Sequence, residues 1–316
     1  MHKYKKVILI FLSGILLSGC SSNMAAVSEL QTEEQSETTM QKEWNYAFHY
    51  GSDYWAHYDL ADSFIPTQEA YEKLVAQYIP QIETLIGAED WYVDYSPEAD
   101  TIFVNMEMGT TPHSYTYPTS KGADHTIEFS QLLSLKQVNS PVDRALPHEL
   151  THSVLGNGKC FSNSLEEGIC NYVCARVGIF NSDFYETYQI DLMDMLYCGT
   201  KSALEKYYDE DKKKEMLDSI GRGEGYTYAI QTDDGIIWYS CSQCFVEYLV
   251  KNYGMEKTMR LIREGKTEDD YQSCLGISFD ALKQDWITDF WQYEPMYTEE
   301  EYLQMSRSFL AALQSP

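Results

Sequence analysis

The sequence predicts an α+β fold, with a small mixed sheet and one helix in the N-terminal part and mainly helices in the C-terminal part. Segments rich in aromatic and β-branched residues are concentrated between residues 91 and 129, where Pro, Gly and Ser separate them. From residue 141 onward, apolar residues recur mostly at the spacing of amphipathic helices. With 316 residues, of which 44% are hydrophobic, the chain is long enough to bury a sizeable core.

The N-terminus has the pattern of a targeting segment. Residues 1–19 begin with basic residues, continue with the apolar run Val7 to Leu17 and end with small residues before Cys20. This pattern resembles a bacterial lipoprotein signal peptide, which implies that Cys20 carries lipid and that the protein is anchored on the outer face of the cell membrane. The alternative is an uncleaved anchor, although this apolar run is short for a membrane span.

Residues 20–43 are rich in Ser, Thr, Glu and Gln and contain no aromatic residue. This composition predicts a disordered tether between the membrane and a folded domain over residues 44–316. Within that domain, residues 44–140 form the sheet-rich part and residues 141–316 the helical part.

The sheet-rich part is predicted from local patterns. Residues 44–66 indicate irregular structure with a short strand or two, and Thr67 to Ile86 has helical periodicity that ends at Gly87. The remaining predictions are strands at Trp91–Tyr95, Thr101–Asn105 and Thr126–Phe129, and a Gly-, Thr- and Pro-rich loop over residues 109–124.

The helical part begins with an N-cap at Ser140 and Pro141 at the first helical position, and this helix ends at Leu155. Pro147 is expected to kink the helix or to delay its start until Ala145 or Pro147. A second helix runs from Asn163 or Ser164 to about Val177. Further helices are predicted near residues 183–197, 201–219, 239–253, 255–264, 278–292 and 298–313, with a loop over Gly221–Gly235.

Charge and cysteine content limit the partners. The formal net charge of −26 argues against nucleic acid, because phosphates would be repelled, and it favours cationic partners or simply a solvated acidic surface. Of eight cysteines, Cys20 is assigned to lipid, and the seven that remain cannot all be paired. Cys241 and Cys244 have the spacing of a redox pair, but buried small apolar residues in a helix are the expected interpretation.

The segment His148-Glu149-Leu150-Thr151-His152 carries the chemistry. On a helix this spacing puts both imidazoles one turn apart on one face, with the glutamate beside them, which is typical of a catalytic Zn²⁺ site. Such a site needs a third protein ligand, and Glu166 and Glu167 on the next helix are the candidates. The alternatives are a chance spacing, or a closed structural site that adds Cys170 and Cys174 to the two histidines.

Together, this helix and the segment Leu165-Glu166-Glu167-Gly168 resemble the gluzincin metallopeptidases, the thermolysin-like and aminopeptidase-N-like group. The resemblance implies a thermolysin-like catalytic lobe, one zinc ion and Glu167 as the third ligand, with Glu166 solvated or supporting a ligand. Asn171 stands where thermolysin-like enzymes have an acid, so it can orient a ligand only as a neutral group.

A second part of the resemblance concerns Tyr239. In aminopeptidase-N-like members a tyrosine opens the next long helix and binds the developing oxyanion, and Tyr239, followed by Tyr248-Leu249 and Tyr253-Gly254, fits that register. Tyr226 and Tyr228 are weaker candidates. The segment from Ser278 to Trp286 resembles the closing helix of the family, so the likeness extends over residues 125–292.

The resemblance implies hydrolysis of peptide or protein substrates, in which Glu149 acts as general base and Tyr239 as oxyanion donor. The amine-anchoring G-x-M-E-N strand of the aminopeptidases has no clear counterpart, since Asn105–Met108 is only superficially similar and Glu128 lacks that context. An endopeptidase is therefore favoured. Four other histidines are expected at the surface or in the core: His49, His57, His113 and His125.

Two other hypotheses remain open from the sequence. One is a lipid-anchored protein that uses its aromatic N-terminal part to bind a wall glycan or peptide, with an idle zinc site. The other is a lipoprotein with a structural metal and no open coordination position.

Overall fold

A computed structural model describes residues 42–50, 68–109, 113–118, 125–134, 145–156, 159–177, 188–223 and 232–313. Cys20 and the predicted tether lie outside these ranges. The strands are β1 (Asn45–Tyr50), β2 (Thr101–Gly109), β3 (His113–Pro118) and β4 (Thr126–Ser134). The helices are α1 (Gln68–Ile86), α2 (Ala145–Leu155), α3 (Asn163–Val177), α4 (Leu192–Tyr207), α5 (Glu210–Ser219), α6 (Asp233–Tyr253), α7 (Met255–Glu264), α8 (Asp270–Leu275), α9 (Phe279–Gln292) and α10 (Glu299–Leu313).

The four strands form one mixed sheet in the order β1-β2-β4-β3. β1, β2 and β4 are parallel, and β3 pairs antiparallel with β4 at the edge. Ile102, Val104, Ile127 and Phe129 alternate with more exposed residues and are fully buried on one face of the sheet. The same core includes residues of α1, α2 and α3, so the sheet covers one side of the helices. The α+β class is therefore confirmed.

Two predictions in the sheet-rich part are wrong. Trp91–Asp94 is a short 3₁₀ helix rather than a strand. Its shape follows from tertiary contacts, because Trp91 is buried and its indole Nε1 donates to Glu83 Oε1 at 2.7 Å, as Trp44 Nε1 does at 2.9 Å. The loop predicted over residues 109–124 contains β3, an edge strand that its turn-forming composition concealed.

The helical part follows the predicted pattern with shifted boundaries. Of the helix predicted near 183–197, residues 183–187 lie outside the described residues, and the C-terminal part is the start of α4, which begins at Leu192 with Asp191 as its N-cap. The helix predicted over 201–219 is divided, because α4 ends at Tyr207 and Asp209 caps α5 through Lys212 N. α6 begins at Asp233, within the predicted loop, because Thr232 accepts a hydrogen bond from Gly235 N. α3, α7, α9 and α10 match their predictions within a residue or two.

α3 and α6 are packed closely against each other. The contact is centred on Gly168, whose missing side chain lets the main chain of Ser242 approach α3 directly. This packing brings the N-terminal half of α6 beside the glutamates of α3. Among the described helices, none is both long and apolar enough to span a bilayer.

Candidate metal centre

α2 carries the two histidines of the motif. It begins at Ala145, so Pro147 is its third residue, where the missing N–H would have no intrahelical acceptor and the ring causes no break. Thr151 Oγ1 donates to the Pro147 carbonyl at 2.6 Å. The predicted cap at Ser140 and Pro141 lies outside the described residues. The core-facing side of α2 consists of Leu146, Leu150 and Val154, spaced one turn apart.

The imidazoles of His148 and His152 meet α3 at its two glutamates. The Nε2 atoms of the two histidines are 3.1 Å apart. Glu167 Oε2 lies 3.1 Å from His148 Nε2 and 3.4 Å from His152 Nε2. Glu166 is turned to the other side of the ring, where its Oε1 lies 2.9 Å from His152 Nδ1. The geometry therefore brings Glu167, rather than Glu166, to the nitrogens that face each other.

This triangle has the dimensions of a zinc site. In a tetrahedron with ligands at about 2.0–2.1 Å from Zn²⁺, neighbouring ligand atoms lie about 3.3 Å apart. The three observed separations of 3.1, 3.1 and 3.4 Å are close to that edge length. Glu167 Oε2 is buried and has no hydrogen-bond donor within bonding geometry, as expected of an oxygen that coordinates a cation. The donor set, two imidazoles and a carboxylate, is the one found at catalytic zinc sites.

The lone pairs of the two Nε2 atoms and of Glu167 Oε2 repel one another unless a proton or a metal ion lies between them. Burial alone would raise the pKa of Glu167, but the imidazoles of His148 and His152 beside the carboxylate outweigh burial and hold that pKa well below its usual range. Burial alone would lower the pKa of His152, but Cys170 and the carboxylates of Glu166 and Glu167 raise it well above its ordinary value. A divalent cation that binds between these groups would displace any proton they share, because metal ligands must be deprotonated.

Cys170 also approaches the histidines. Ligand atoms of His148, His152 and Cys170 all lie within 4.8 Å of one another, so these residues form a group that could hold a metal ion. The thiol is fully buried, and burial raises its pKa to about 12. Glu167 Oε2 lies within 3.4 Å of both Nε2 atoms, and its pKa is lowered whereas that of the Cys170 thiol is raised, which makes Glu167 the better third ligand. Cys174 does not belong to the group that the described residues form, which argues against a closed site of two histidines and two cysteines.

Glu149 and Tyr239 lie next to the triangle. Glu149 is 5% exposed on α2, beside His148. Burial raises the pKa of the Tyr239 phenol, and the nearby carboxylate of Glu167 and the charge of Glu149 raise it further. The phenol therefore remains a hydrogen-bond donor at neutral pH. Tyr239 does not open its helix, as the resemblance implies, since it is the seventh residue of α6.

The other candidates take no part in the triangle. Glu128 is on β4, on the face opposite the buried Ile127 and Phe129. His49 Nδ1 lies 2.8 Å from Asn105 Oδ1, and His125 Nδ1 lies 2.8 Å from the Glu98 carbonyl, both at the surface. His57, Tyr226 and Tyr228 lie outside the described residues, and His113 is described only as part of the β3 backbone. The thiols of Cys241 and Cys244 are free and buried in α6, so they do not form a disulfide.

The sequence prediction did not foresee the role of Gly168 in bringing α6 to α3, and it placed Cys170 near the histidines only in the alternative of a closed site. The position of Cys170 agrees with helical spacing, because it follows Glu166 by one turn and so lies on the same face of α3. No family model, curated protein or solved structure matches the chain.

Proposed function

We propose that this protein is a zinc-dependent peptidase of the gluzincin type, with a thermolysin-like catalytic lobe. The observation that carries the proposal is the convergence of His148 Nε2, His152 Nε2 and Glu167 Oε2 at separations close to those of a zinc tetrahedron. Three protein ligands leave one coordination position for water or substrate, which distinguishes a catalytic site from a structural one.

Zinc, when bound, would act as a Lewis acid that polarises the scissile carbonyl and lowers the pKa of water. Glu149 would accept a proton from the attacking water and deliver it to the leaving amine, because its buried side chain is close enough to the site for its charge to act on Tyr239. Tyr239 would donate its phenolic hydrogen to the oxygen that becomes negative as the carbonyl is attacked. Its raised pKa supports this role, since the proton is retained until that charge develops.

The sheet edge favours an extended peptide as the substrate. β3 pairs only with β4 among the described strands and lies against α2. An extended peptide can add to such an edge through main-chain hydrogen bonds, and a peptide on β3 would run beside the histidine-bearing helix. This recognition requires no free amino terminus, and Glu128, one candidate for binding an amine, is on the face opposite the core. Both points favour an endopeptidase over an aminopeptidase.

The test is digestion of a broad peptide library by the zinc-loaded protein and by the Glu149→Gln variant. We expect internal cleavage by the wild type, and a loss of turnover of about 10²–10⁴-fold in the variant with zinc content unchanged. Glu128→Gln is the matched control and should cleave as the wild type does. Turnover retained by Glu149→Gln would overturn the mechanism. Bound zinc without cleavage of any peptide by the wild type would favour the wall-binding alternative.

We also propose attachment to the membrane through lipid on Cys20, on the basis of the sequence pattern before that residue. Fractionation of cells that express the full chain should find the protein with the membranes. A Cys20→Ser variant that remains in the membrane fraction after an alkaline carbonate wash would contradict lipid anchoring and favour an uncleaved span.

A further inference from the structure

A buried ion pair joins α3 to α6 at a distance from the candidate metal centre. Arg176 Nη1 and Nη2 donate to Glu247 Oε1 and Oε2 at 2.7 and 2.8 Å, and the Glu247 side chain is 2% exposed. The guanidinium lies over the Tyr172 ring, 3.6 Å from its centroid, and Nη1 also donates to the Tyr172 carbonyl at 3.2 Å. Contacts within α3 therefore hold the guanidinium in place, and Glu247 of α6 must meet it there.

α6 contributes one group, Tyr239, to the candidate site. The three proposed metal ligands lie on α2 and α3, where Asn171 Oδ1 also meets His148 Nδ1 at 3.0 Å. Glu149 is on α2 as well, so the packing of α2 against α3 determines the positions of all these groups. The position of Tyr239 depends instead on how α6 is aligned with α3.

The ion pair belongs to a line of contacts between these two helices. The contacts follow one another in the same order along both chains: Glu167 with Tyr239, Gly168 with Ser242, and Arg176 with Glu247. α3 and α6 therefore run in the same direction. The last contact lies about 12 Å further along α6 than the first, because eight residues separate Tyr239 from Glu247.

This ion pair is a poor source of stability. Burial and, to a smaller extent, the charge of Asp191 raise the pKa of Glu247 above its ordinary value, although hydrogen bonds from Arg176 and Gln243 act in the opposite direction. Burial of the ionised carboxylate thus destabilises the fold by more than its partners stabilise it. Apolar side chains of similar size would fill the same space without that cost. An ion pair differs from them in that only one alignment of the helices brings both charges together.

We propose that Arg176 and Glu247 are positioning residues, which set the register of α6 against α3 and so place the Tyr239 hydroxyl at the metal centre. Gly168 lets the helices approach, whereas the ion pair fixes how far one is displaced along the other. A displacement of about 1 Å at the reacting groups is enough to reduce turnover about 10²-fold. This inference rests on the proposed function, in which Tyr239 stabilises the oxyanion.

The test compares the wild type with Arg176→Met/Glu247→Leu, on a peptide that the wild type cleaves in the library digestion. We expect kcat to fall about 10²-fold. Zinc affinity should stay within about threefold, because α6 carries none of the proposed ligands. The urea midpoint of the metal-free variant should equal or exceed that of the wild type, since the cost of the buried charges is removed. Arg307→Met/Glu300→Leu, which removes an exposed ion pair of α10, is the matched control and should leave kcat unchanged.

The same replacement in a Tyr239→Phe background identifies the group through which the ion pair acts. If the pair acts by placing the phenolic hydroxyl, its effect disappears once the hydroxyl is gone. The combined variant should then have the kcat of Tyr239→Phe within about threefold. Losses that multiply would overturn the inference, because the pair would act on another part of the site.

The remaining outcomes separate this inference from the proposed function. A wild type that binds no zinc, or that binds zinc and cleaves no peptide, would overturn both. A wild type that cleaves peptides, together with an unchanged kcat in Arg176→Met/Glu247→Leu, would overturn this inference alone. A lower urea midpoint or a failure of that variant to fold would also overturn it, because the ion pair would then contribute to stability rather than to register.

Discussion

Gly168 of α3 is in direct contact with the main chain of Ser242 on α6: a Cβ atom at Gly168 would lie 2.5 Å from the Ser242 carbonyl oxygen. This contact holds Tyr239, one turn before Ser242, beside the Glu167 carboxylate. The glycine after Glu167 therefore has a steric role, since any side chain at that position would separate the two helices that carry the candidate site.

Gly168→Ala should accordingly destabilise the protein and displace Glu167. We expect a loss of about 1–3 kcal/mol in the free energy of unfolding, measured in urea, because the obstacle is main chain that cannot rotate away. Zinc affinity should fall as well. Gly223→Ala is the matched control, because its nearest neighbour would be 3.8 Å away. An alanine at 168 that leaves stability and zinc binding unchanged would contradict the close packing of α3 and α6.

Tyr239→Phe tests the oxyanion donor. Removal of the hydroxyl should reduce kcat/KM by about 10²–10³-fold, the usual cost of one such donor, while zinc affinity stays within about threefold. Tyr253→Phe, near the end of the same helix, should have no effect on turnover. Equal losses in both variants, or a large loss of zinc in Tyr239→Phe, would assign this tyrosine to packing.

Lys283 makes a separate prediction about stability. It is 6% exposed, its Nζ donates to the carbonyls of Leu217 and Ile220 at the end of α5, and burial lowers its pKa from 10.5 to about 7. The charged groups around it are Asp218, Arg222 and Glu268, and Cys241 also faces it. Between about pH 7 and 10.5 the unfolded chain therefore binds more protons at this site than the folded chain does, so stability should rise with pH.

The measurement compares urea unfolding of the wild type and Lys283→Met at pH 6.5, 7.5 and 8.5. Between pH 6.5 and 8.5 the free energy of unfolding of the wild type should rise by about 2 kcal/mol relative to that of the variant. The buried ammonium charge destabilises the fold fully below pH 7, and this destabilisation is relieved as the pH rises above 7. A constant difference would contradict the lowered pKa. It would mean that the carbonyls and the Trp286 ring, whose centroid is 4.6 Å from Nζ, keep the ammonium charged.

The sequence predicted which residues of the candidate site lie together better than it predicted the sheet. Helical spacing fixes which side chains share a face, so the two histidines at i and i+4, and Glu167 with Asn171 at i and i+4, follow from the pattern alone. The packing of α2 against α3 is a tertiary contact, which spacing along the chain does not predict. It was predicted from the family resemblance. Adjacent residues of an α-helix project about 100° apart around its axis. If Glu167 faces the Nε2 atoms of the histidines, Glu166 must therefore point to a different side.

The errors arose where tertiary contacts override local preference. The aromatic run at Trp91 has strand propensity, but the hydrogen bond of its indole to Glu83 and its burial favour a 3₁₀ turn. The start of α6 was missed because Gly235 indicates a loop. Thr232, which caps the helix ahead of Asp233 and Asp234, was the signal for the earlier start.

X-ray absorption at the zinc edge, on the stoichiometric zinc complex of the wild type, tests the central claim most directly. Ligation by His148, His152 and Glu167 predicts a first coordination sphere of nitrogen and oxygen only, at about 2.0–2.1 Å, with two imidazole scattering patterns. Glu167→Gln should weaken zinc binding without changing the number of imidazoles. A sulfur ligand at about 2.3 Å would contradict this account, because it would identify Cys170 as the third ligand instead.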